Sequence, residues 1–285
     1  MRPYFGMATQ RPYVDAVVDG LEAAGYPSRQ PMTNGSIREA VRNYARTRDG
    51  APIAQWNVSE VTDFSELFAG MHTFNADISR WDTSSAVTMK GMFKDCWRFD
   101  GRISGWDVSR VVDMTSMFEG AREFDRCISR WNVRRVVMFD HMLSGARSFN
   151  DGVRHNERPV MALDARSAAS MTGMFRNAAN LRLRRIYIRT SARLRSTAYM
   201  FSGASAFQGK VLISDTRGVN MMQGMFQRTM LNRAVSLDMS GISQAVFVRH
   251  MFDGCRPGAG VNDRGTLSAS AEHALGDRVM RDDAG

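Results

Sequence analysis

Two columns of Asn and Asp are the first residues in this chain whose spacing suggests chemistry. Asn57, Asp82, Asp107 and Asn132 recur every 25 residues, and Asn75, Asp100, Asp125 and Asn150 recur at the same interval. Stacked carboxylates suit calcium, which takes roughly six to eight oxygen ligands, several of them charged. Both columns also exchange Asp for neutral Asn, and Asx-turn hydrogen bonds to backbone accept either residue. The structural reading is the stronger one, so no metal and no other cofactor is assigned.

A second candidate is electrostatic. The chain carries 38 basic and 29 acidic side chains for a net charge of +9, and the only lysines are Lys90, Lys94 and Lys210. No acid lies between Asp164 and Asp215, a stretch that also holds Arg166, Arg176 and Lys210. Within it, Arg182, Arg184, Arg185, Arg189, Arg193 and Arg195 form a basic patch suited to bidentate contacts with phosphate, sulfate or carboxylate. That points to a polyanion or nucleic-acid partner. Against it, Arg outnumbers Lys along the whole chain, so compositional bias is a sufficient cause. No recognised nucleic-acid motif accompanies the cluster, and bulk charge alone supplies only salt-sensitive, nonspecific affinity.

Nothing in the sequence builds a catalytic centre. There is no GxSxG elbow, no phosphate-binding GxxxxGK loop and no HExxH pair, and the protein is read as a non-enzyme. Cys96 and Cys255 fall in a column of small residues, which burial explains, whereas Cys127 between Arg126 and Ile128 is an exposed thiol. His141 and His250 share a variable, solvent-facing column and stand too far apart to share a metal. No apolar run is long enough to cross a bilayer. The apolar stretch Val14 to Ala24 is interrupted by Asp15, Asp19 and Glu22, unlike a signal-peptide core, so an intracellular location is favoured.

The elements that would position these residues follow from an internal repeat. Trp56, Trp81, Trp106 and Trp131 stand 25 residues apart, each preceded three positions earlier by Ile53, Ile78, Ile103 or Ile128. Twelve residues after each Trp comes Phe68, Phe93, Phe118 or Leu143, and the series continues as Phe175, Phe201, Phe226 and Phe252, eight units in all. The preceding residue is Met in seven of these units, and three residues further back lie Phe64, Met89, Met114, Phe139, Met171 and Met222, so most of the excess of Met and Phe is one core column repeated. In Ile103-x-x-Trp106-x-Val108 the last two apolar residues alternate as on a short strand. In Val111-x-x-Met114-x-x-Met117-Phe118 they fall on one face of two helical turns. Gly70, Gly120, Gly145, Gly203 and Gly254, replaced by Asp95, Asn177 or Arg228 elsewhere, are read as left-handed residues ending that helix. The spacing predicts a right-handed α/β repeat solenoid, leucine-rich-repeat-like, of about eight strand-plus-short-helix coils whose stability comes from stacking.

Ser36-x-x-Glu39 reads as a capping box opening a helix over residues 36–47, with a second helix from Tyr13 to Ala24. Residues 1–50 are thus an N-terminal helical cap, 51–255 the repeat solenoid (regular to 155, degenerate over 156–255), and 256–285 a disordered tail with a short helix near Ala271 to Met280. Seven extra residues between Val153 and Val160 predict a loop at Arg154 to Pro159. In the later units Leu183, Ile186 and Ile188 fit the strand in more than one register.

The string Ile103-Ser104-Gly105-Trp106-Asp107-Val108-Ser109-x-Val111-x-Asp113-Met114-x-x-Met117-Phe118-x-Gly120-Ala121, followed by Phe124-Asp125, resembles the repeat of the BspA-like leucine-rich-repeat surface proteins. The approach through Ile37 to Ala45, then Pro52-Ile53 and Trp56-Asn57-Val58-Ser59, is similar to the way those repeat domains begin. The resemblance implies an adhesion-type, non-catalytic module for protein–protein interaction or glycan binding, with no catalytic residue to carry over. On that reading the ligand lies across the solenoid's sheet face, where Arg80, Asp82, Asp107, Arg130 and Asn132 point away from the core beside a ladder of Ser79, Ser104 and Ser129; the alternative, equally open, is a plain solvated face. The partner is a protein or glycan, and the chain is expected to be a monomer.

Overall fold

The computed structural model describes residues 30–47, 53–152, 160–230, 250–251 and 253–254. They contain one α-helix, α1 (Asn34–Thr47), a 3-10 turn at Ile53–Gln55, and three strands, β1 (Val160–Asp164), β2 (Arg185–Arg189) and β3 (Lys210–Ile213). The strands are parallel and form one small sheet in the order β1–β2–β3. The expected leucine-rich-repeat-like solenoid of eight strand-plus-helix coils is overturned: the 25-residue repeat is built mostly from tight turns. The expected helix Tyr13–Ala24, the loop at 154–159 and the tail over 256–285 lie outside the described residues.

Backbone hydrogen bonding gives the physical reason. Met117, Glu119 and Ala121 donate to the carbonyls of Met114, Ser116 and Phe118, three residues back, at 3.0–3.2 Å. The alternate amides of Met114, Ser116, Phe118 and Gly120 donate to Met138, Asp140, Met142 and Ser144 of the next unit at 2.7–3.0 Å. A helix would direct every one of these amides to a carbonyl four back. Ser116 (φ 56°) and Gly120 (φ 72°) are left-handed, so the chain is turned out of the helical region every four residues. Apolar residues spaced three and four apart therefore mark consecutive turns here. The presumed strand half behaves alike: Trp106 donates to the Ile103 carbonyl and Val111 to that of Val108, at 3.1 and 3.0 Å. Among the described residues, single parallel bridges outside the named strands join successive units, running Asp63, Thr88, Asp113, Met138, Ser170, Ser196, Met221.

The Trp column is explained by a side-chain bond as well as by volume. The indole N–H groups of Trp81, Trp106 and Trp131 donate to the carbonyls of Ile53, Ile78 and Ile103 in the preceding unit at 2.8, 3.1 and 3.1 Å. A buried indole needs such an acceptor, and the turn at each Ile presents one. Beside the tryptophans, Phe68, Phe93 and Phe118 stack at 5.6 Å between ring centroids, and Phe74, Phe99, Phe124 and Phe149 at 5.9–6.0 Å. Met89, Met92, Met114, Met117 and Met142 fill the spaces between them and are buried.

The column that holds His141 is left-handed throughout rather than merely variable. Glu66, Ser116, His141, Tyr199 and His250 have φ of 55–58°, and Gly91, Gly173 and Gly224 share the conformation. Bulk alternates with its absence. A Cβ on Gly173 would lie 2.5 Å from His141 Nδ1, and one on Gly224 would lie 2.5 Å from the Tyr199 ring. The expected left-handed residues Gly70, Asp95, Gly120, Gly145, Asn177, Gly203, Arg228 and Gly254 do have positive φ, although they close turns rather than helices.

At the N-terminal end α1 closes the stack. Its capping box is Thr33 with Ser36, each accepting the other's amide at 2.9 and 3.2 Å, three residues earlier than the sequence suggested. Ile37 and Val41 are buried, and Tyr44 meets Trp56 and Phe74 edge-on at 6.5 and 6.4 Å. In the repeat, the amides of Val87 and Thr88 donate to the Thr62 carbonyl of the unit before. Thr62 and Asp63 have no unit before them, and their amides donate to Asn34 Oδ1 at 2.9 and 3.1 Å. Arg38 completes the substitution, donating to the Ser65 carbonyl at 2.8 Å and pairing with Asp63 at 3.0 Å. No helix of the described residues is long and apolar enough to cross a membrane.

Candidate recognition surface

Strands form where the Trp-Asx turn is lost. Val160–Asp164, Arg185–Arg189 and Lys210–Ile213 read VMALD, RIYIR and KVLI, with apolar residues two apart. Met161, Leu163, Ile186, Ile188, Val211 and Ile213 face the core and are buried, which settles the register of the later units. The other face is open. Its first row is Val160, Arg185 and Lys210, its second Ala162, Tyr187 and Leu212, and its third Asp164 and Arg189. Neighbours within a row stand about 4.8 Å apart and rows about 6.6 Å apart, as strand geometry dictates.

The charges on this face are unevenly committed. Asp164 is held by Arg134 and Arg166, each at 2.8 Å. Burial pushes its carboxyl up, but the hydrogen bonds and charges of Arg166 and Arg134 outweigh that and hold it below the ordinary carboxylate range. Arg185, Arg189 and Lys210 make no ion pair among the described residues.

The residues expected to bind a ligand do not lie on a sheet. Arg80, Asp82, Asp107, Arg130 and Asn132 are all exposed, but they sit in the turns that follow each Ile. Asp82, Asp107 and Asn132 accept the amides two residues on, of Ser84, Ser109 and Arg134, at 3.1, 2.9 and 3.4 Å. The Ser109 hydroxyl and amide hold Asp107 below its ordinary pKa. The second Asx column joins unit to unit: Asn75, Asp100 and Asp125 accept the amides of Asp100, Asp125 and Asn150 at 2.8–3.0 Å. Asn150 continues the series by accepting the Arg182 amide at 2.6 Å. Among the described residues no group of three or more His, Cys, Asp and Glu is gathered that could hold a metal ion.

The basic patch divides. Arg185 and Arg189 share the outer face of β2, Arg182 and Arg184 precede the strand, and Arg193 and Arg195 follow it. Arg195 is committed to structure, donating to the carbonyls of Ala192 and Gly218 at 2.7 and 3.1 Å. Sequence reasoning missed Val160, Tyr187, Lys210 and Leu212, although the alternation in Arg185-Ile-Tyr-Ile-Arg189 carried the signal. It also left Trp97 unexplained. That ring stacks on His72 of the preceding unit at 3.8 Å between centroids, and the Arg122 guanidinium of the following unit lies 4.2 Å from its centre.

Two buried groups have perturbed acidity. Burial pushes the Cys96 thiol up to about 12, with Sγ 3.0 Å from the Phe68 carbonyl. Burial likewise raises Asp151, despite hydrogen bonds from the Ser129 hydroxyl and the Ile128 and Ser129 amides. Both groups act in packing, since each is enclosed by its own neighbouring units.

Two stretches of the chain, residues 36–156 and 152–259, match the family described as "Mycoplasma protein of unknown function, DUF285". No curated protein and no solved structure matches the chain. The two matches span most of the 285 residues, and the chain belongs to the family described as Mycoplasma protein of unknown function, DUF285.

Proposed function

We propose that this protein is a non-catalytic recognition scaffold that holds a partner on the outer face of β1–β3. One observation carries this reading. Seven large apolar side chains of the described residues are exposed, and three of them, Val160, Tyr187 and Leu212, lie together on this one sheet. Apolar groups gathered on an otherwise polar surface mark interaction sites more often than scattered ones do. The resemblance of the 25-residue string to BspA-like surface proteins supports the same reading and brings a protein or glycan as the partner class. In a pull-down from the native host, wild-type protein should retain a partner through about 0.5 M salt, where exposed charge pairs are largely screened. Tyr187→Ser should release it. Equal retention by the variant would remove the face from consideration.

A second reading is polyanion binding, supported by exposed Arg182, Arg184, Arg185, Arg189 and Arg193, which make no ion pair among the described residues. It predicts retention on heparin or DNA that collapses with salt and with Arg182, Arg184 and Arg185 changed to Ala.

A further inference from the structure

We infer that the outer face of β1–β3 takes a short, extended segment of a partner protein that combines acidic side chains with a large apolar one. The inference rests on the recognition role proposed above and names the chemistry of its partner. Three observations converge on it. The middle row, Ala162, Tyr187 and Leu212, carries no charge, and Tyr187 and Leu212 are 41% and 36% exposed. The row to one side places Arg185 beside Lys210, with Val160 51% exposed next to them. On the other side stands Arg189, next to an Asp164 already neutralised by Arg134 and Arg166. The face is thus an apolar strip with unpaired cations on both flanks.

That pattern distinguishes among partners. A nucleic acid would use the three cations and could stack a base on Tyr187, but it would leave Val160 and Leu212 without apolar contact. A glycan would engage the ring and leave three positive charges unanswered. An acidic and apolar peptide answers both features of the face: its carboxylates reach Arg189 on one flank and Arg185 with Lys210 on the other, the guanidinium forks donating to them in bidentate pairs. Its apolar side chain covers Tyr187 and Leu212. Size points the same way. Among the described residues, three strands about 4.8 Å apart and four or five residues of about 3.3 Å make a face roughly 10 by 15 Å, room for a segment of about five residues. Contact at a face of this size is limited: salt weakens the part carried by the charged flanks, while the apolar part at Tyr187 and Leu212 persists.

The test is peptide display, with random peptides of about seven residues, on the immobilised full chain. Selected peptides should combine two or more Asp or Glu with a Leu, Phe or Trp. The best of them, made synthetically and followed by fluorescence anisotropy, should bind at least roughly tenfold more weakly to Tyr187→Ser and to the charge-reversed Arg185→Glu/Arg189→Glu protein. Both variants alter exposed positions, and their circular dichroism and melting curves should match wild type. Selected peptides that lack acids, or that bind the variants undiminished, overturn this inference and leave a recognition role elsewhere on the protein. Failure to select any sequence removes the recognition role together with it. An oligothymidine held equally by wild type and Tyr187→Ser, released by the charge reversal and accompanied by no selected peptide, replaces it with polyanion binding.

Discussion

The imidazole of His141 occupies the space in which a side chain on Gly173 would have to begin: a Cβ there would stand 2.5 Å from Nδ1. Gly173 is also left-handed, at φ 61°. Gly173→Ala therefore meets two obstacles, overpacking and an unfavourable backbone, and should destabilise by about 2–4 kcal/mol. Adding His141→Gly should remove the steric part and recover about half of the loss. Denaturant melts of the two single variants and the double variant form the cycle. Additive effects would show that the two positions do not touch.

Trp106 separates volume from hydrogen bonding. Trp106→Ala empties a site between units and should cost about 3–5 kcal/mol. Trp106→Phe keeps much of the ring but removes the donor to the Ile78 carbonyl, 3.1 Å away, and should cost about 1–3 kcal/mol. A Phe variant as unstable as the Ala variant would mean that the indole bond, rather than packing, holds the column.

In the second Asx column, Asp100→Ala deprives the Asp125 amide of its acceptor and Arg126 of its ion pair. An expected loss of about 1–3 kcal/mol follows from leaving a partly enclosed amide without a partner. Asp100→Asn retains an acceptor oxygen and should recover most of it. Since these oxygens already accept backbone amides, added calcium should leave the melting temperature of wild type unchanged, and a rise of several degrees would contradict the structural role.

Acid should destabilise the turns. Asp63, Asp107, Asp164 and Asp215 all have pKa values below their ordinary 3.8, Asp215 chiefly through Arg217. A carboxyl lowered on folding stabilises above its unfolded pKa, and that contribution is lost as pH falls through the folded value. The melting temperature should therefore hold near neutrality and drop below about pH 4. Asp151 acts oppositely: its pKa is raised by burial, so protonation favours the fold and stability is gained as pH falls through its folded value. Asp151→Asn removes that opposing gain and should steepen the acid limb. Equal slopes would show that Asp151 titrates as an ordinary carboxyl.

The two described cysteines should differ in reactivity. Cys96 is fully buried with its thiol pushed up to about 12, while Cys127 is half-buried. Iodoacetamide near pH 8 attacks thiolate, so peptide mapping should find Cys127 modified long before Cys96. Rapid modification of Cys96 would indicate that the stack opens in its second unit.

The core was legible in the sequence and the backbone that carries it was not. Trp106, Met117, Phe118 and Phe124 are buried as their 25-residue spacing implied, because burial follows periodicity whatever the local conformation. A helix and a run of turns, however, both place residues three and four apart on one side. The deciding signal was the pair of left-handed positions four apart, such as Ser116 and Gly120, and Ser at the first of them disguised it. The candidate surface was half legible for a related reason. Arg185 and Arg189 stood out by charge, but Tyr187 and Leu212 gain meaning only when the parallel register sets them side by side.

Asn34 and Arg38 imitate a missing neighbour, and this bears on end-to-end association of the stack. An in-register parallel stack presents at its first unit the same donors and acceptors that every internal unit uses, so another copy could dock there and extend the array end to end. The amide oxygen of Asn34 occupies the position of the carbonyl that copy would offer, and the Arg38 guanidinium fills the position of its amide. Helix α1 is in this sense an end-stop: its side chains occupy the donors and acceptors that the N-terminal face of the stack would otherwise offer as a template.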